Sequence, residues 1–372
     1  MFFFFVLKLI GFFTSILVLN RWINRLLNQW KLFDSKYLPC FASGWLVYLA
    51  IYVIGRRVAA PIDLVHNIYT LLSFSIPLFA SGLWCLRLEE ERDNEREFIR
   101  SFRILDRYTM LLLVSFVASA IYVGPYLEFP SDPIEHLYRI QAWEKAAQLD
   151  YQGYHYSLSR FIYFFEHWML KSTSLDLGER SGLVLLSPLL QGMLFWQFIR
   201  ITKLFTNSTV LGWLGGIMSL GYFGYSAISF YRYTVLAGAL LAFIVCLDGF
   251  VLIIATFLKE KFRYLFLLPP LLYFCWQNHE QETLLQLNAI AGASFGLLLR
   301  YRSFSLSFRR VITFWVSTGV AIAALLVLQH PVMSANTLEH QALTLNTLGS
   351  IFNWNLQYHN LAMLNEMLGI VG

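Results

Sequence analysis

The run TVLAGALLAFIVCLDGFVLIIATFL, residues 234–258, decides how the rest of the chain is read. A helix needs about 20 mostly apolar residues to cross a bilayer, and this run exceeds that length. Nine further runs meet the same criterion or approach it: 2–19, 38–55, 67–86, 108–124, 183–199, 209–229, 264–277, 284–299 and 311–328. The links Tyr231-Arg232-Tyr233 and Asn278-His279-Glu280 are so short that hairpin-like helix pairs are the natural arrangement of their flanking runs. The fold expected is therefore all-α: a polytopic membrane protein of about ten transmembrane helices.

Composition agrees. Of 372 residues, 57% are hydrophobic and 14% charged, against roughly 25% charged in ordinary soluble domains. Mean hydropathy is +0.55. A soluble fold of this size could not hide so much apolar surface, which argues against a cytosolic enzyme, a disordered scaffold or a disulfide-rich module. The four cysteines, Cys40, Cys85, Cys246 and Cys275, form no CxxC pair and read as small buried apolar residues. The opening apolar run is followed by Asn20-Arg21-Trp22 rather than a small-residue cleavage site, so it reads as a span and not as a signal peptide.

Basic residues fall on alternate loops, as the positive-inside rule requires. Segments 20–37, 87–107, 200–208, 259–263 and 300–310 carry Arg and Lys and become cytoplasmic under one threading. Segment 88–97, in which Glu and Arg interleave at helical spacing, reads as a solvated helix on that side. The opposite loops become external. They are 125–182, with eight acidic and five basic residues; 230–233; 278–283; and the tail 329–372, which contains no Lys or Arg. Arg56 and Arg57, at the external end of the second run, are the exception. The organisation expected is three N-terminal helices plus the charged cytoplasmic helix (1–107), a seven-helix unit (108–328) and the external tail (329–372).

Loop 125–182 is too long to be a plain connector. Ser131 or Asp132 as N-cap, Pro133 in the first turn and Glu135 facing the positive end of the dipole mark a helix start. An amphipathic helix to about Leu149 follows, and a strongly aromatic one over Tyr154–Leu170; both suit the membrane interface. Asp132, Glu135 and His136 fall within one turn just outside the membrane. A carboxylate there can act as general base toward a hydroxyl, or with His136 hold a divalent metal; helix capping explains the same residues without chemistry. On the same face lie Gln277-Asn278-His279-Glu280-Gln281-Glu282 and Tyr231-Arg232-Tyr233. Arg232 can pair bidentately with a phosphate, while Tyr231 and Tyr233 can flank a sugar or an isoprenyl chain. There is no GxxxxGK[ST] or HExxH, and no GxSxG or GxGxxG in a strand-to-helix setting.

Seven spans from the fourth onward, a long first external loop with an acidic motif at its start, and the stretch Ser219-Leu220-Gly221-Tyr222-Phe223-Gly224-Tyr225 through Ser229-Phe230-Tyr231-Arg232-Tyr233 resemble the GT-C glycosyltransferases. These are integral membrane enzymes that take a sugar from a polyprenyl phosphate. The resemblance spans about 108–328. It implies a catalytic role for Asp132, with Glu135 beside it. Donor phosphate would fall to Arg232, Tyr231, Tyr233 and His279. A divalent metal, Mg or Mn, would fall to Asp132, His136, Glu280 and Glu282. The partners implied are a polyprenyl-phosphate-linked sugar, membrane lipids and a glycan, lipid or protein acceptor, not nucleic acid. The place implied is the cytoplasmic membrane, with the active face external. The chain departs from the family where the second external loop carries no carboxylate. A polysaccharide or lipid-carrier transporter predicts polar residues along a path through the spans. A non-catalytic subunit of an envelope assembly complex predicts that Asp132, Glu135 and His279 do not converge.

Overall fold

The computed structural model describes residues 2–29, 33–34, 37–87, 139–141, 143–149, 161–171, 179–221, 237–258, 261–300 and isolated positions between 309 and 319. Among these residues the chain is almost wholly helical, without a strand. The helices are α1 (Phe2–Gln29), α2 (Ala42–Arg57), α3 (Ile62–Arg87), α4 (Phe161–Lys171), α5 (Glu179–Thr206), α6 (Thr209–Gly221), α7 (Ala237–Leu258), α8 (Leu268–Asn278) and α9 (Glu280–Arg300). Two of them, over Ile62–Gly82 and Leu240–Phe257, contain windows long and apolar enough to cross a membrane. The charged segment 88–97, the span at 108–124, most of 311–328 and the tail 329–372 lie outside the described residues.

Several expected boundaries move. Helix α1 continues to Gln29, ten residues past the end of its apolar run, so Arg21 and Arg25 ride on the helix instead of in a loop. The run 264–277 begins as a 3-10 turn, Phe262–Leu267, and becomes α-helical only at Leu268, because Pro269 and Pro270 suit a first turn and no later position. At 1.5 Å per residue the 11 residues of α8 reach about 16 Å, too short to cross alone. The helix expected up to Leu149 gives way to a 3-10 turn at Trp143–Lys145 and then to an isolated antiparallel bridge between Gln148 and Pro61. Ile62 donates to Ala147 and Leu149 to Ala60, which ties this segment to the α2–α3 corner.

The largest departure is α4, expected to lie flat at the interface and found instead at the centre of the bundle. Its residues Phe161 to Met169 are all buried. A helix aromatic on every face has no side to give to water, so burial all round is the stable outcome. Phe165 meets Phe12 of α1 and Trp45 of α2 at 4.6 and 5.2 Å between ring centroids. Phe161 meets Tyr52 of α2 and Phe274 of α8 at 5.7 and 5.8 Å. Most of these contacts are edge-to-face or tilted, the arrangement the ring quadrupole favours.

Small residues set the closest helix approaches. A Cβ on Gly44 would stand 2.3 Å from the Ile16 carbonyl oxygen, so α1 and α2 touch backbone to backbone there. Gly212, Gly215 and Gly216 of α6 face Ile199, Thr202 and Phe195 of α5 in the same way, giving the tight α5–α6 hairpin. Helix α7 packs against α5, α8 and α9 and joins both groups into one continuous core.

Several helices carry apolar side chains on their outer faces and bury a few polar ones beside the apolar core. On α3, Leu64, Leu71, Leu78 and Phe79 point outward, whereas His66 and Ser73 are buried. On α9, Leu285, Phe295 and Leu299 are exposed, while Glu282, Gln286 and Ser294 are buried. Val210, Leu211, Leu214 and Ile217 line the outer face of α6.

Candidate functional site

Helices α8 and α9 meet at one residue. The His279 N–H closes α8 on the Cys275 carbonyl at 2.7 Å, while His279 itself is extended (φ −158°, ψ 121°), and α9 starts at Glu280. That single extended residue folds the two helices back on one another and sets the first turn of α9 beside the imidazole. Glu282 Oε2 lies 2.5 Å from His279 Nδ1. The Glu282 side chain is 5% exposed and that of His279 29%. The buried carboxylate thus holds the ring at Nδ1, the imidazole as a whole is partly exposed, and Nε2 makes no hydrogen bond among the described residues.

Behind the pair lies a polar layer facing α7. Thr283 donates to the Leu272 carbonyl at 3.3 Å, and Gln286 Nε2 lies 3.1 Å from Cys275 Sγ. Cys246 of α7 donates to the Glu282 carbonyl at 3.6 Å. Gly249 makes room for this layer, since a Cβ there would sit 2.7 Å from Gln286 Oε1. Gln286 Oε1 and Gln277 Nε2 are buried with no hydrogen-bond partner among the described residues, a costly state that polar interiors normally avoid.

Of the nine residues singled out from sequence, this corner joins His279 and Glu282. Glu280 opens α9, while Asp132, Glu135, His136, Tyr231, Arg232 and Tyr233 lie outside the described residues. Glu282, one of the residues considered for a metal, is engaged by His279 Nδ1 through its Oε2. Among the described residues no group of three His, Cys, Asp or Glu side chains could hold a metal. Gly292-Ala293-Ser294-Phe295-Gly296, a GxSxG string, sits inside α9 with Ser294 buried, so it forms no nucleophile elbow.

Two polar clusters were not foreseen. Asp248, in the middle of α7, accepts from the backbone N–H of Cys40 (2.8 Å), Phe41 (3.2 Å) and Ala42 (3.1 Å) and from the Arg200 guanidinium (2.9 Å). Arg200 also donates to the Leu38 carbonyl. A carboxylate from α7 therefore caps the N-terminus of α2, whose own N-cap residue, Phe41, has no side-chain acceptor. The signal was available, because a charge within an apolar run needs a partner. The second cluster joins α3 and α4. The rings of His66 and His167 lie 5.1 Å apart, and His66 Nε2 and both nitrogens of His167 are buried with no hydrogen-bond partner among the described residues. Lys171 pairs with Asp63 at 2.8 Å at its edge, and Lys8 donates to the Trp168 carbonyl at 2.5 Å. Nothing in the sequence links positions 101 residues apart.

Helix α4 is too short to span a membrane, and two of its ionisable groups are shifted by their surroundings. Burial pushes the Glu166 carboxyl up to about 8. Burial, assisted by the charges of Lys171 and Lys8, lowers His167 to about 4. No protein-family model, curated protein or solved structure matches this chain.

Proposed function

We propose that the chain is a polytopic membrane glycosyltransferase that moves a sugar from a polyprenyl-phosphate donor to an acceptor on the external face. The membrane part of this reading is supported by the apolar outer faces of α3, α6 and α9, together with the polar side chains that α3 and α9 bury: both suit lipid as the solvent and not water. The two apolar windows in α3 and α7 agree with it. So do two contacts within the bundle. The α2–α3 corner meets segment 147–149; the threading makes both external, with Arg56 and Arg57 against the charge pattern there. Asp34 pairs with Lys261 at 3.4 Å, both of which it makes cytoplasmic.

The observation that carries the enzymatic part is the His279–Glu282 pair, an accessible imidazole backed by a buried carboxylate in a loop the charge pattern makes external. A lipid-linked donor cannot leave the bilayer, so its transferase needs acid–base and phosphate-binding groups at the membrane surface. In this reading Asp132 and Glu135 engage the acceptor, and Arg232, flanked by Tyr231 and Tyr233, stabilises the departing phosphate. The test uses the purified full-length protein with a labelled polyprenyl-phosphate sugar. Transfer is expected from the wild type and lost by about a hundredfold or more in Asp132→Ala, Glu135→Ala. Full activity in that double variant would sink the assignment of the acceptor site.

A further inference from the structure

We infer that His279 and Glu282 form the proton-transfer dyad of the reaction, with His279 Nε2 as the general base that takes the proton of the acceptor hydroxyl and Glu282 as its positioning residue. The inference rests on the glycosyl-transfer reading and gives the base a place that the sequence motif did not, leaving Asp132 to orient the acceptor.

Three observations support it. First, the Glu282 contact to Nδ1 selects one tautomer: Nδ1 carries the hydrogen given to the carboxylate, so Nε2 presents its lone pair. Second, exposure is divided as a working dyad requires. The carboxylate is shielded, where it holds the ring and later balances the imidazolium charge, while the imidazole reaches the surface. Third, the main chain around the pair is rigidly held. The His279 N–H is bound to Cys275, the Glu282 carbonyl receives Cys246 Sγ, and Thr283 is tied back to Leu272. A His that merely ended α8 would need none of the carboxylate contact, because its backbone already caps that helix.

The step balances without a co-reactant. The acceptor O–H bond breaks and its proton passes to Nε2. The oxygen lone pair forms the bond to the anomeric carbon as the bond from that carbon to the phosphate oxygen breaks. The phosphate leaves with that electron pair, and the proton on Nε2 is then lost to water.

Two measurements on the full-length protein test this. In the transfer assay, His279→Asn is expected to lower kcat by about a hundredfold or more with KM little changed. Glu282→Gln, which keeps the shape of the side chain but favours the wrong tautomer, is expected to lower kcat by at least tenfold and to displace the acidic limb of the pH–rate profile. Glu282→Asp is expected to restore part of the loss. In the second measurement diethyl pyrocarbonate is applied to the folded protein and the modified histidines are located by peptide mass spectrometry. His279 is expected to react at Nε2, and more slowly in Glu282→Gln. A wild-type rate in His279→Asn, or equal losses of kcat and folded protein in every variant, overturns the dyad while leaving the transferase reading intact. Activity abolished by a chelator and restored by Mn, with the metal lost in His279→Asn, makes His279 a ligand and also overturns it. An inactive wild type defeats the transferase reading itself. An unreactive His279 in the modification experiment overturns the accessible lone pair independently of any transfer.

Discussion

Asp248 at the root of α2 and Glu166 on α4 are both buried carboxyls on helices with apolar surroundings, and they differ in every contact a charge needs. Asp248 receives three backbone N–H groups and a guanidinium. Glu166 makes no hydrogen bond or ion pair among the described residues, and burial alone drives its carboxyl toward the neutral form. The lesson concerns convergence. Where a helix N-terminus and an arginine meet, a buried carboxylate becomes a structural joint between distant segments; where no donors meet, the same group holds a proton.

Removing the joint breaks the comparison most directly. Asp248→Ala leaves Arg200 and three N–H groups without their acceptor and is expected to destabilise the protein by about 3–5 kcal/mol, read as a lowered unfolding temperature in detergent. A loss under about 1 kcal/mol would mean that water or neighbouring groups replace the carboxylate.

Glu166→Gln sharpens the other side. The folded pKa of Glu166, about 8, lies above its unfolded value, so the native state binds more protons between pH 4.5 and 8 and stability falls as pH rises through that window. His167, at about 4, has the opposite sign. The unfolded chain then binds more protons between pH 4 and 6.5, and stability rises with pH there. The two slopes oppose one another below pH 6.5, and above it Glu166 acts without His167. Glu166→Gln is therefore expected to remove a decline of about 1.5 kcal/mol between pH 6.5 and 8. An unchanged pH profile would show that the carboxyl is hydrated.

The smallest effect concerns His167. His167→Leu replaces two unpartnered buried nitrogens with apolar atoms and is expected to stabilise the protein by about 1 kcal/mol near pH 7, more so near pH 5. Destabilisation instead would reveal a hydrogen bond or ligand held by that ring.

Much of the helical architecture was legible because the relevant signal is local. Apolar runs placed α2, α3, α5, α7 and α9 to within a few residues in most cases, and the three-residue link 278–280 foretold the α8–α9 hairpin. The reading of α4 went astray at one specific point. A strongly aromatic helix was expected flat on the interface, whereas aromatic residues recur on all sides of α4 and only the space left by α1, α2 and α8 decides that they are buried. His279 was visible as one of six consecutive polar residues, but its engagement with Glu282 in preference to Glu280 depends on how the corner turns.

The sequence by itself determined that this chain is helical and where most of its described helices run, because a long apolar segment satisfies its backbone hydrogen bonds within itself. It also exposed the few polar residues that such segments can least afford. Only the tertiary structure decided which of those residues meet. Asp248 finds Cys40, Phe41 and Ala42 across more than 200 residues, and His66 finds His167 across 101. Those partnerships follow from helices packed at glycine contacts and around an aromatic centre, and a distance set by packing leaves no trace in local spacing.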